Sequence, residues 1–281
     1  MAESVARKTR RFNFRGSLVI PYGVFMVLFV VFPLLLIFYF AFTDANGNFT
    51  LNNWGTIFSE PSNWKVIGLT FLIAAITTLI CLVIAYPIAY LLSNKKYNKN
   101  IVLVYIFLLP MWINFVIRTI GLKALINGIS QGILGVDLTA SYPYVAIVIG
   151  MVYDYLPFAI LPLYNQMLKM DKNQIEAAAD LGANPVRVFF KVIVPMTIPG
   201  IVSACTMTFM PTMSSYVIAY YMGNGKTSII GTEIEAYAAS GPAGYNAASI
   251  LSLVMLFIIG ISVFAEKLFD KKEETRKGGI W

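Results

Sequence analysis

The sequence predicts an all-α membrane protein with six transmembrane helices and both termini in the cytoplasm. Three observations lead there. The 281 residues are 58% hydrophobic and only 12% charged, with a mean hydropathy of +0.72, whereas soluble domains carry about a quarter charged residues. Six runs are apolar enough to cross about 30 Å of hydrocarbon, which takes roughly 20 helical residues. Seventeen of the 21 basic residues fall on one side of the alternation those runs impose, as cytoplasmic loops do.

A basic N-terminal tail, 1–16, carries Arg7, Lys8, Arg10, Arg11 and Arg15. The membrane domain covers 17–269, with spans at about 17–42, 66–93, 101–120, 142–168, 192–222 and 247–265. The first run is far longer than a signal-peptide core and no A-x-A-like site follows it, so it reads as a retained helix. Lys95, Lys96 and Lys99 place the second loop inside, and Lys169, Lys172, Arg187 and Lys191 do the same for the loop at 169–191. A charged tail, 270–281, closes the chain on the cytoplasmic side. The net charge of +7 is then a topology signal, and a nucleic-acid partner is not needed to explain it. There is no histidine, which excludes imidazole catalysis and histidine metal sites. Cys81 and Cys205 lie inside apolar runs and read as small buried hydrophobes.

One stretch looks like chemistry and is not. Gly225-Lys226-Thr227 has the tail of a phosphate-binding P-loop. The position where that motif needs its first glycine is Tyr220, and a membrane helix precedes the stretch in place of a strand. The topology also puts it outside. Gly223 and Gly225 instead suit a tight turn at the end of the fifth span.

The loop at 169–191 contains a helical stretch ended or bent by Gly182, then a turn at Ala183-Asn184-Pro185. Ile175, Ala178, Ala179 and Leu181 can form one small-residue face, with Glu176 and Asp180 spaced i, i+4 on another. Such a helix suits a partner's groove or is an ordinary amphipathic connector. Asp154, about ten residues into the fourth span, is the single acidic residue within the six spans, and an ionisable group at that depth is a functional candidate. Between Tyr153 and Tyr155 it can attract an alkylammonium through charge and cation–π contact, or it can be a structural ion pair. Arg118 is the evident partner, at an expected depth difference of roughly 10 Å at 1.5 Å per residue. In the fifth span Pro195, Pro199 and Pro211 are expected to interrupt the helix. Its hydroxyls, Ser214 and Ser215 among them, suit a cavity wall or tight helix packing. Tyr216 and Tyr220 share a face and are candidate gate aromatics. Asp44, Glu60, Asp137, Glu233 and Glu235 give an acidic external face, fitted to a cation or simply solvated.

The loop also carries a longer pattern. Glu176-Ala177-Ala178 is followed by Gly182 and then by Val192-Ile193-Val194-Pro195. This resembles the EAA signature of type I ABC importer permeases, with Val192 and Val194 where the usual pattern has Ile and Leu. The stretches 110–121, 156–183 and 214–235 are similar to spermidine/putrescine permeases, and the last to the first of their two permease subunits; Ile120 stands where an aromatic is common. The resemblance implies a coupling helix whose Glu176, Ala177, Ala178, Asp180 and Gly182 meet an ATPase subunit. It implies a second homologous permease, two ATPase subunits that bind the ATP and magnesium, an extracytoplasmic polyamine-binding protein, and alternating access in a prokaryotic inner membrane. No cofactor is then held by this chain, and no bond is made or broken on it. Related permeases for sulfate, molybdate, iron or thiamine share the EAA loop. An ion-coupled secondary transporter is the rival class, and it would be expected to show more membrane carboxylates and an internal repeat.

Overall fold

Twelve helices follow one another in the computed structural model of the chain, which describes residues 19–44, 47–94 and 102–278; no β-strand occurs among them. The basic residues of the N-terminal tail, Lys95, Lys96 and Lys99 lie outside the described residues. α1 (Ile20–Ala41) is the first apolar helix and buries little of its surface within the chain. It ends against α2 (Asn52–Ser59), where the Trp54 indole donates to the Ala41 carbonyl at 2.9 Å. α3 (Pro61–Ser93), α7 (Pro143–Leu168) and α9 (Pro185–Ser214) form the central bundle. α12 (Tyr245–Gly278) packs back on α1 and α9.

Small residues set how closely the central helices approach. Ala85, Ala89, Ala159 and Ala204 are fully buried between them. A Cβ placed on Gly200 of α9 would come within 2.6 Å of the Gln166 Cβ on α7. Apolar burial gives no driving force between helices in lipid, so close packing and interhelical hydrogen bonds take over. Such bonds cross the bundle at several points among the described residues. Tyr86 and Thr197 share a hydroxyl bond at 2.8 Å, the Gln166 amide donates to the Met196 carbonyl at 2.9 Å, and the Tyr155 hydroxyl donates to the Pro211 carbonyl at 3.3 Å.

Two apolar runs depart from simple spans. The run expected to cross at 101–120 is broken: α4 (Val102–Leu108) tightens into a short 3₁₀ turn through Trp112, and α5 (Phe115–Leu134) leaves at 96° to it. Pro110 ends the first piece, Ile113 is extended, and the Asn114 side chain caps α5 by accepting from the amides of Val116 and Ile117 at 3.0 and 3.4 Å. Five described helices are long and apolar enough to span a membrane, and the bent pair makes a sixth span if it crosses as one unit. The fifth run, in contrast, keeps its helix through Pro195, Pro199 and Pro211 and breaks later, at Ser215. A π-helical stretch at Phe189–Ile193 precedes the first of these prolines. Hydroxyls of Thr197, Thr206, Thr212 and Ser214 bond back to carbonyls on their own helix, so these side chains are satisfied in an apolar setting.

Candidate functional site

Two regions hold the side chains that sequence reasoning selected. The first is inside the bundle. Asp154, in the middle of α7, is 1% exposed, and its Oδ1 forms an ion pair with Arg118 Nε. Its Oδ2 accepts from the Thr119 hydroxyl at 3.0 Å. Arg118 in turn donates through Nη1 to the Pro110 carbonyl at 2.7 Å, and through Nη2 to the Asp154 carbonyl at 3.5 Å. Its guanidinium carbon lies 5.6 Å from the centre of the Tyr153 ring, which is 40% exposed.

The depth separation of Arg118 and Asp154 expected from counting residues is therefore wrong. Counting assumed one straight helix over 101–120. The break at Ile113–Asn114 turns α5 across the bundle and lays its first turn, with Arg118, against the middle of α7. Two opposite charges in contact, with a hydroxyl on the second carboxylate oxygen, largely satisfy what neither could bear alone in a low-dielectric interior.

Ser214, Ser215, Tyr216 and Tyr220 belong to the next stretch. Ser214 ends α9 and bonds back to Met210 and Pro211. Ser215 is buried and extended, and Gly231 of α11 (Ile230–Ala239) sits so close that an added Cβ would meet the Ser215 carbonyl at 2.9 Å. Tyr216 and Tyr220 project from α10 (Val217–Met222) and its N-cap, and both are exposed, as their spacing predicts. The opposite face of α10 packs on α7: Ile218 and Met222 fill the space that a side chain at Gly150 would need. Gly150 lies one turn before Asp154 on the same face of α7, so α10 and the ion pair share one helix surface.

The turn after α10 is the false P-loop. Asn224 and Gly225 have φ of +54° and +64°, and a Cβ on Gly223 would fall 2.5 Å from the Ala219 carbonyl. Both glycines are there for backbone reasons. The Asn224 carboxamide accepts from Lys123 of α5 and donates to Thr139 of α6 (Leu138–Ser141) at 3.3 Å. Asp137 caps α6 by accepting from the Ala140 amide at 3.0 Å. That amide, and then the Thr139 hydroxyl, hold the Asp137 carboxyl below its usual range.

The second region is the helix between the fourth and fifth long helices. α8 (Lys172–Asp180) begins where the Asp171 carboxylate accepts from the Asn173 amide at 3.0 Å. It ends in a Schellman turn: Gly182, at φ +80°, donates to the Ala179 carbonyl at 2.9 Å, and Ala183 donates to Ala178 at 3.1 Å. The Asn184 side chain then caps α9 on the Arg187 amide at 2.8 Å. No residue of α8 is buried. Glu176, Ala177, Asp180 and Gly182 are exposed, while Ala178 is half-buried alongside Ile175. Leu181, expected to share a face with Ile175, Ala178 and Ala179, is 88% exposed at the helix end. The Schellman turn redirects the chain there, so helical spacing no longer sets where that side chain points. Leu181 is then a site candidate in its own right, and the exposed Val186 is one that the sequence reading passed over. An apolar residue directly after the Asn184-Pro185 turn was the available signal for Val186.

Comparison with known proteins gives a consistent result. Residues 86–273 match the family described as "Binding-protein-dependent transport system inner membrane component". The chain is 33% identical over 266 residues to the spermidine/putrescine transport system permease protein PotB of Haemophilus influenzae, covering 89% of this chain and 93% of that protein. It is 31% identical to the Escherichia coli K12 protein of the same name, covering 89% and 96%. Among solved structures, a bacterial ABC transporter involved in import of the acidic polysaccharide alginate superposes with a TM-score of 0.69 at 15% identity, covering 90% of this chain and 94% of that one. The MetNI methionine ABC transporter superposes at 0.54 with 20% identity, covering 76% and 98%.

Proposed function

The chain belongs to the binding-protein-dependent transport system inner membrane components, and from that premise we propose that its cargo is a polyamine, spermidine or putrescine. It is a multi-pass permease subunit of the bacterial plasma membrane. The observation that carries the cargo is the 33% identity to a spermidine/putrescine permease along 89% of the chain. The buried carboxylate of Asp154, approached through the exposed ring of Tyr153, is chemistry fitted to a cation.

The family supports a reading of the rest of the machine. Both termini and α8 face the cytoplasm. α8 docks in an ATPase subunit, with Glu176 and Asp180 on the docking side, Ala177 and Ala178 allowing close approach, and Gly182 closing the turn. Two such ATPase subunits hold ATP and magnesium. A second, similar permease completes the pathway, and an extracytoplasmic polyamine-binding protein delivers cargo to the outer face. Ser214, Ser215, Tyr216 and Tyr220 line the path beside the Tyr153–Asp154 site, and closure of the ATPases moves that path between outward and inward access.

The test is selectivity. The complex is reconstituted in vesicles loaded with ATP, and uptake of labelled spermidine and putrescine is compared with that of sulfate, molybdate, iron and thiamine, each with its own binding protein. Polyamine uptake alone is expected. Uptake of another solute, with none of either polyamine, would keep the family and overturn the cargo.

A further inference from the structure

Arg118 touches both sides of the α4–α5 break and a neighbouring helix as well. Its backbone lies in the first turn of α5. Its Nη1 holds the Pro110 carbonyl before the break, and its Nε and Nη2 engage Asp154 on α7. Thr119, the next residue, adds its own bond to the Asp154 carboxylate. The 96° angle between the two pieces is thus bridged by Arg118, which holds the Pro110 carbonyl on one side and, together with Thr119, the Asp154 carboxylate on the other.

A buried pair of this kind adds little net stability over an apolar filling, whereas removing one partner leaves a stranded charge. Its physical effect is to hold a position. It also leaves an opening to competition. The Tyr153 ring beneath the guanidinium is partly exposed, so a second cation can reach that ring beside the pair. One carboxylate neutralises one cation; when an ammonium arrives, one of the two must leave.

We propose that the Arg118–Asp154 pair is a cargo-sensitive lock on the angle between α4 and α5, opened when an alkylammonium group takes the Asp154 carboxylate from Arg118. The proposal rests on the polyamine reading and adds the step by which cargo frees the broken helix to move. Arg118 is a positioning residue in this step, and Asp154 is the group that meets cargo.

The test reads the angle directly. Spin labels at Leu103→Cys on α4 and Ile129→Cys on α5, both exposed positions, report the distance across the break in the assembled complex, with Cys81 and Cys205 replaced by alanine. A narrow distribution is expected at rest, and again in Arg118→Lys, which keeps the charge. Asp154→Asn and Arg118→Gln should broaden or shift it without cargo. Spermidine-loaded binding protein should shift the wild type in the same way and add nothing in the variants. The double variant Arg118→Met/Asp154→Leu strands no charge and guards against misfolding; it too should read as unlocked. An unchanged distribution in the double variant would overturn the lock. A spermidine shift that persists there would overturn the role of Asp154. Wild-type uptake of spermidine with no shift would overturn the proposal alone. Absence of spermidine uptake would overturn the polyamine reading and the cargo step with it.

Discussion

Gly200 has no room for a side chain. A Cβ there would meet the Gln166 Cβ at 2.6 Å and the Pro162 carbonyl at 3.2 Å, and both belong to the helix that α9 must pack on. Gly200→Val should therefore destabilise the permease by about 1–3 kcal/mol, the usual range for overpacking, seen as a lower unfolding midpoint in detergent. Gly68, with open space around its Cβ position, is the control and should tolerate alanine. Asp137 sets a pH dependence of known sign. Its carboxyl is held below the ordinary value of 3.8 by the Ala140 amide first. The cap's contribution is complete above that ordinary value and is lost as pH falls through the lower folded value. Hydrogen exchange at 138–141, corrected for the intrinsic pH effect, should accelerate below about pH 3.8, and Asp137→Asn, which keeps a capping oxygen, should flatten that response.

The break between α4 and α5 is the element that matters most for the site. Asn114→Ala removes the cap on α5 and should cost about 1 kcal/mol, with looser hydrogen exchange confined to the first turn of α5. At α8, Leu181→Asp should weaken association with the ATPase subunits while leaving the permease's own unfolding midpoint unchanged, because that side chain is 88% exposed. These two elements also mark where sequence stops informing. The helix at 172–180 was legible because its caps are written locally: Asp171 before it, Gly182 after it. The bend after Trp112 was written too, in Pro110 and Asn114, but an unbroken apolar run hides it from any count of hydrophobic residues. Arg118 was legible as the partner of Asp154, and the ion pair bears that out; their direct contact was not, since it depends on the direction of α5 and not on residue depth. The prolines of α9 misled in the other direction: a π-helical stretch at Phe189–Ile193 leads into Pro195, and the helix runs on through Pro199 and Pro211.

At the scale of the whole molecule, five described helices are long and apolar enough to span, and the bent pair makes a sixth span if it crosses as one unit; the α1 surface that the chain leaves exposed is available to lipid and to the second permease. The orientation proposed from the basic residues has a direct check. A cysteine at Asn173 should react with a membrane-impermeant maleimide only in inverted vesicles, and one at Glu235 only in right-side-out vesicles. The central claim is that ATP bound by partner subunits drives this chain through α8, and one measurement meets it most directly. Uptake of labelled spermidine is followed in vesicles holding the assembled complex, with and without internal ATP, for the wild type and for Glu176→Lys. Uptake by the wild type that requires ATP and is lost in Glu176→Lys, with Tyr153, Asp154 and Arg118 untouched, is the expected result. Uptake driven by an ion gradient without ATP, or full ATP-driven uptake in Glu176→Lys, would contradict the account.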